Sequence, residues 1–547
     1  MTRFFSLVVL AMCVLLSQGT VRMLNFKKSG QDVTAAWQRA AAGLAERDTV
    51  KVNFGAGTYY LSGTVEMLCN LTMSGKGSAK TTLKCRVNSR FTDDCFIKAA
   101  GHLGRTIAVE VANMGIDLEK HKGMAWNVNS AKYLLKIYHA DRVSIKSVSS
   151  YIDNAVCTNL NMRCCSNVAV TGCSLTNYNN NHDGGILWLS GNTENVLVSN
   201  NEFRKQGNDE VVGFYGTGND AWSAGTNAKS AYKRNIKVCN NKLWLSGAAG
   251  QPLTMAFSMF NVEGQKSSNV AADVRDVTFS GNEITVAGDV RCIFAFQREQ
   301  NTTGKNIRYA NNTVRCLAES SVKGSARAIF RIVDHSEAKE PFVISGNVID
   351  NKANVLGADG YNYYNLLDID GATVEFDGNN VSSTKDAANK QSGIVGMYVN
   401  NAGGKVNMKN NVLKGLCVLA SLSVTKGSIQ GMEINASGNR FEGGTTIFCN
   451  NLDRLDLNLS NNEFFSTNWE YFLQEFAKTG TLVFRNNVVT ANKGGGSLLS
   501  HYSNVPTKNM HFERLEVCNN KFYGIQSTEL LKNMTNVKHR VVSGNTF

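Results

Sequence analysis

The chain has 547 residues, 57 Lys and Arg against 44 Asp and Glu for a formal charge of +13, 49 Gly and only 3 Pro, with 18% of residues charged. So low a charge content with so many glycines excludes a disordered polyelectrolyte and points to a folded, turn-rich chain. The basic residues are dispersed, which argues against nucleic acid as a partner; an acidic polysaccharide fits the surplus better.

In chain order, Met1-Thr-Arg3 and the apolar run Phe4 to Leu16 read as a signal peptide over 1–19, with cleavage after Gly19. It predicts export, to the medium or a periplasm. Cys13 after Leu10-Ala-Met12 is a poor lipoprotein site, so a lipid-anchored form is the less favoured outcome. No later stretch is long and apolar enough to span a bilayer. Thirteen cysteines follow the signal, an odd number without the CxxC pairs of a zinc site. Most are expected as small buried side chains, with one or two disulfides after export.

The mature chain, 20–547, is expected to be one elongated domain. Asp32 to Leu44 predicts a capped amphipathic helix over about 32–46, with Val33, Trp37, Ala40, Ala41 and Leu44 on one face. Such a helix would cover the open end of a strand stack. Thr49 to Phe54 and Gly57 to Val65 alternate as strands, and coils follow from about 50 to 547.

One phrase then recurs: an apolar strand, Asn-Asn or Gly-Asn, any residue, and an apolar residue. It reads Val198-Ser-Asn-Asn201-Glu-Phe203, Val238-Cys-Asn-Asn241-Lys-Leu243 and Phe279-Ser-Gly-Asn282-Glu-Ile284. It returns at Asn312, Asn347, Asn379, Asn411, Asn439, Asn462, Asn487, Asn520 and Asn545, with a cryptic copy at Cys173. A strand unit of this size, repeated without strict length, predicts a solenoid. Gly and Asn tolerate the left-handed backbone of a sharp bend, and stacked Asn side chains can pass amide hydrogen bonds from coil to coil. The asparagines are therefore expected as a structural spine.

The helix beginning with Asp and Thr, the following strand, Gly57-Thr-Tyr59 and the Gly75-Lys-Gly77 turn, all ahead of Asn-turn coils, resemble the right-handed parallel β-helix superfamily of pectate lyase-like proteins, and within it the pectate-lyase-3 branch most. The resemblance implies an all-β, single-stranded right-handed parallel β-helix with an N-terminal capping helix. The fold hosts lyases, hydrolases, epimerases and binding proteins, so it does not by itself fix an activity.

Reading onward from each Asn bend predicts that Asp153, Asp183 and the pair Asp209-Glu210 fall at corresponding places in three consecutive coils, about 4.8 Å apart per coil. Clustered carboxylates can divide general-acid and general-base roles, and His182 beside Asp183 could tune it or act as base. Asn181-His-Asp183-Gly184 followed by Gly207-Asn-Asp209-Glu210 resembles the polygalacturonase-type hydrolase signature, which implies catalytic roles for Asp183, Asp209 and Glu210. The Gly-His-Gly and Arg-x-Lys elements of that family have no counterpart here. A lyase would use the same face with calcium held by Asp153, Asp183 and Asp209, the one cofactor the sequence suggests.

Arg291 and Arg327 open equivalent strands and could clamp a carboxylate or sulfate. The insertion 216–234 carries Trp222, Tyr232 and Lys233, a mixture suited to stacking on a sugar and attracting an anionic chain. The sequence thus predicts an exported glycoside hydrolase or polysaccharide lyase acting on an acidic polysaccharide, with a noncatalytic glycan-binding or adhesion protein as the rival. It leaves the sugar, linkage and oligomeric state open.

Overall fold

A computed structural model describes residues 19–547 except 87–94, 102–104, 120–132, 154–156, 180–183, 208, 216–229, 247–253, 261–270, 288–289, 299–301, 318–327, 337–339, 353–363, 385–392, 400–401, 424–427, 451, 467–470, 475–476, 492–496, 501–510 and 531–536. The chain divides into two units, Met1–Lys242 with Glu263–Val270 and Leu243–Val262 with Ala271–Phe547.

In the first unit each coil contributes three strands, and each strand pairs in parallel with its counterpart one coil on. The first face runs through Val65–Met67, Cys95–Ala100, Tyr133–Tyr138, Thr158–Arg163, Leu187–Ser190 and Asp209–Tyr215. The second face includes Val21–Phe26, Thr49–Phe54, Asn70–Ser74, Ser166–Thr171, Thr193–Ser199 and Ser230–Cys239. The third includes Gly57–Leu61, Thr81–Arg86, Ser174–Asn179 and Glu202–Gly207. Ile107–Glu119 and Ala140–Asp153 are single long strands that pass through the corner from the second face to the third. This is a parallel β-helix, consistent with the right-handed form.

The second unit repeats the pattern. Cys292–Arg298, Ala328–Asp334, Tyr364–Asp370 and Ile394–Val399 stack on its first face. Phe342–Ser345, Thr373–Asp377, Gly404–Lys409, Met432–Ser437 and Arg454–Ser460 stack on its second. Along a strand such as Met432–Ser437 burial alternates residue by residue, because successive side chains point into the coil and out of it. In-register stacking places Phe441 on Phe464, centroids 5.2 Å apart, and Phe484 and Phe522 from neighbouring strands continue the row of stacked rings at 5.6 and 6.2 Å.

The recurring bend divides labour between two residues. The first of each pair is left-handed, as at Asn200 (φ 56°), Gly281 (φ 64°) and Gly346 (φ 62°). The second is buried and forms the ladder. In the second unit the Oδ1 of Asn347 accepts from both the backbone N (2.9 Å) and the Nδ2 (3.1 Å) of Asn312, and Asn379 does the same for Asn347. The remaining Nδ2 hydrogen goes to a backbone carbonyl, Ile344 O for Asn379 at 2.9 Å, so the amide is fully used. In the first unit Asn201 and Asn241 join the same way, and Cys173 stands at the cryptic copy, its N–H donating to Asn201 Oδ1.

The N-terminal helix is shorter than expected, Thr34–Ala41. Trp37 is fully buried against Phe54 with its Nε1 donating to Met67 Sδ at 3.3 Å, and Asp32 Oδ1 accepts from Thr34 N. Ahead of it Val21–Phe26 is a strand that the sequence did not signal. Most of the cysteines from Cys69 to Cys518 are buried, and no disulfide joins the described residues.

Candidate functional site

Asp209 opens the last first-face strand of the first unit in a left-handed conformation, φ 70°, which Asp adopts more readily than most residues. Its Oδ2 accepts from the backbone N–H of Gly184 one coil back. Glu210 is almost fully buried, 1% exposed, and its Oε1 accepts from the Tyr215 hydroxyl. Its carboxyl lies where a side chain at position 213 would be: a Cβ on Gly213 would stand 2.2 Å from Glu210 Oε1. Gly213 therefore gives the acid its place on the outward side of the face.

Beside Gly213 in register stands Trp188. Its ring meets Tyr215 at 5.8 Å and Tyr133 at 6.2 Å, both edge to face. Its Nε1 is enclosed and has no hydrogen-bond partner, and Gly185 leaves the room that the indole fills. Continuing down the register are Asn161 and Lys136. The Lys136 ammonium lies 5.2 Å from the Tyr133 ring centre and 4.8 Å from Tyr138, and the Arg163 guanidinium lies 5.5 Å from Tyr138. Tyr133, Trp188 and Tyr215 with Lys136, Arg163 and Glu210 thus form one aromatic, cationic and acidic surface. Sequence inspection missed all of these but Glu210; the outward positions of three successive strands, 136, 161 and 188, were the available signal.

At the corner beneath lies a buried polar cluster. Asn177 donates to Cys157 O, Gly185 O and Asn159 Oδ1, and Asn159 donates to Ser150. Lys205, fully buried, follows Asn177 in register and donates to Gln206 O at 3.2 Å. The turn to Asp209 thus rests on the amide donors of Asn177 and Asn159 and on the buried Lys205 amine, while Asn177 Oδ1 is buried without a partner.

The expected carboxylate column is corrected at Asp153. Its register partner is Tyr178, followed by Gln206, so it ends a third-face strand, whereas Asp209 begins a first-face strand three residues past Gln206. Ala140–Asp153 turns its corner at Ser147 (φ 53°) without an Asn pair, so the bend used to count coils is absent there. His182, Asp183, Trp222 and Arg327 lie outside the described residues. Tyr232 is half-buried beneath the Arg234 guanidinium, 4.7 Å from its ring centre. Lys233, expected to reach for substrate, is instead 4% exposed and its ammonium donates to Gly191 O. Burial lowers its pKa to about 7. Arg291 is half-buried at the start of a first-face strand in the second unit. On that face Arg331, Asp368 and Tyr398 are register neighbours.

Calcium was expected from Asp153, Asp183 and Asp209 together. Among the described residues no three His, Cys, Asp or Glu side chains gather in a metal-sized group. Asp183 lies outside the described residues, and Asp153 and Asp209 stand on strands of different faces.

No protein-family model matches the chain, and no curated protein matches its sequence. Among solved structures the chain is similar to the family 28 exopolygalacturonase of Yersinia enterocolitica, at 12% identity over 81% of this chain and 78% of that one, TM-score 0.39. It is also similar to the DFA-IIIase of Arthrobacter chlorophenolicus A6, at 9% identity over 74% and 95%, TM-score 0.40. The catalytic domain of a GH87 α-1,3-glucanase aligns at 10% identity over 96% and 69%, TM-score 0.29. The structural neighbours are polysaccharide-active β-helix enzymes at low identity.

Proposed function

We propose that the first unit's first face is a polysaccharide site at which the Asp209 and Glu210 turn, with Asp183, hydrolyses a glycosidic bond in an exported protein. The carrying observation is the seat of Glu210: an almost buried carboxyl held by Tyr215 in the space of a missing side chain, directly beside Trp188. Hydrolysis needs one carboxyl to protonate the leaving oxygen and another to activate water or attack the sugar carbon. Asp183 takes the acid role by the resemblance in the Asn-His-Asp-Gly motif. Asp209, half-exposed and oriented by the Gly184 N–H, is placed to activate water. Glu210 bonds the Tyr215 hydroxyl at the edge of the aromatic surface, where the rings offer flat apolar area to the C–H faces of sugars.

Arg163, partly exposed beside Tyr138, favours an acidic polysaccharide, since its guanidinium can meet a carboxylate while resting on tyrosine. The rival reading, glycan binding without catalysis, rests on the same aromatic surface.

The purified protein is assayed on polygalacturonate and on neutral polysaccharides, following reducing ends and the absorbance of unsaturated products. Reducing ends alone, reduced at least a hundredfold in Asp209→Asn with an unchanged melting temperature, are the expected result. Unsaturated product would mean elimination, and wild-type activity in Asp209→Asn would remove that carboxylate from the mechanism. Retention on the polymer without either signal would leave a binding protein.

A further inference from the structure

A groove of about 410 Å³ lies at the last strands of the second unit, but a second groove, smaller at about 270 Å³, has the more telling chemistry. It opens on the third face of the first unit and is lined by Lys84, Asp117, Leu118, Glu119, Tyr151 and Asp153. This face carries none of the residues assigned above to hydrolysis.

Parallel register builds it. Lys84 and Asp117 are direct neighbours, as are Arg86 and Glu119. One coil on, Tyr151 neighbours Thr176 and Asp153 neighbours Tyr178. All are outward positions of strands whose alternate residues fill the core. Tyr151 is 45% exposed on this strand, and among the exposed large side chains it is the one that lines this groove. The Tyr178 ring stands edge-on to it, centroids 6.1 Å apart at 83°. That packing fixes the ring and leaves aromatic surface uncovered.

The polar groups decide the ligand class. Glu119 is already neutralised, by Arg86 Nε at 2.6 Å and Lys84 Nζ at 3.5 Å. Asp117 accepts from the Tyr151 N–H at 3.0 Å, and burial raises its pKa against the opposing pull of that bond and of Lys84. Asp153 is exposed and has no cation paired with it among the described residues. An anionic chain would meet Asp153 and Asp117, and a bare cation would meet Lys84 and Arg86. A neutral sugar ring suits every group: its hydroxyls donate to the two carboxyls and accept from Lys84, while its C–H face rests on the electron-rich face of Tyr151.

We propose that this groove is a binding subsite for a neutral sugar ring, built from Tyr151, Asp117, Asp153 and Lys84 and separate from the first-face site. It does not depend on the first face being catalytic. A protein that works along a polymer would gain from a second, weaker hold on it, because the second contact forms at high effective concentration.

The test is calorimetric titration of the full chain with neutral hexasaccharides of gluco, xylo, manno and galacto configuration, and with hexagalacturonate. Binding of at least one neutral hexasaccharide is expected, weakened about tenfold in Tyr151→Ala, the effect of losing one stacking contact. Tyr151→Phe, which keeps the ring, should bind as wild type, and Asp209→Asn should bind unchanged. Because Tyr151 is exposed, melting temperatures should stay level. No binding of any neutral hexasaccharide, equal affinity in Tyr151→Ala, or competition by hexagalacturonate would each overturn the proposal. The hydrolysis reading is judged separately by turnover in Asp209→Asn.

Discussion

Lys233 shows how far one side chain can depart from its local sequence. It lies between Tyr232 and Arg234 at the end of a polar insertion, yet it pairs in register with Thr193 and its ammonium is sealed against Gly191 O. Its pKa falls from 10.5 to about 7, chiefly because burial penalises the charge. Between those values the unfolded chain holds a proton that the folded chain has released, so stability from this group rises with pH across that window. The cost is greatest at and below pH 7. Lys233→Met should therefore raise the melting temperature most at neutral pH, by a term on the order of a few kcal/mol, with the gain shrinking towards pH 10. Thermal melts of both proteins across that range measure it; a constant offset would mean the lysine does not titrate as described. Gly213 makes the opposite case, where adding atoms is the problem. Gly213→Ala should push Glu210 off Tyr215 and cut turnover at least tenfold while the melting temperature falls only slightly. Full activity in this variant would show that the seat of Glu210 is immaterial.

At the scale of the strand and its bend, the buried asparagines are worth more than their exposed look-alikes. Removing the Asn379 side chain leaves the backbone N–H and one Nδ2 hydrogen of Asn347 without an acceptor and takes a donor from the Ile344 carbonyl, all in a dry interior. Each unpaired buried group costs about 1–3 kcal/mol, so Asn379→Ala should lower stability by about 3 kcal/mol or more. Asn306→Gly is the control, because glycine keeps the left-handed backbone there, φ 58°. Its Nδ2 bonds Asp276 on the exposed side, and its loss should cost under about 1 kcal/mol. Urea titrations of the two variants compare them directly, and equal effects would deny the buried ladder its role. The Asn phrase was legible because a left-handed bend and a buried amide both restrict the residues allowed. A second ladder, Asn167 to Asn195 to Asn235, was not, although an apolar strand follows each, because it lies on the surface where burial does not restrict the residue, and an aspartate, Asp276, bonds Asn306 in the same way. The same limit explains Asp153. Where Ala140–Asp153 rounds its corner at Ser147 the marker is missing, and counting coils from the sequence slips from the third face to the first.

For the molecule as a whole, composition and the repeat made the all-β coil architecture readable, because every coil restates the same pattern of inward apolar residues. The aromatic surface was not readable: Tyr133, Trp188 and Tyr215 are scattered in sequence and become neighbours only through parallel register. The surplus of +13 charges bears on the long range. If it draws an acidic polymer to the first face, KM on polygalacturonate should rise several-fold from roughly 20 to 300 mM salt as the screening length shortens, with kcat nearly constant. A KM indifferent to salt would leave Arg163 and the surplus charge without that task. The ladder also carries a consequence for chemical ageing. Asparagine deamidates when the next residue's peptide nitrogen attacks its side-chain amide, and a protein with so many asparagines would seem to invite it. Here that nitrogen is engaged one coil back: Asn380 N donates to Asn347 O at 2.8 Å and Val412 N to Asn379 O at 2.9 Å. The amide itself is clamped between two acceptors. The attacking geometry can form only when a coil opens, so the same bonds that stack the coils also act as a preservative, and a deamidated ladder residue would be a record of local unfolding.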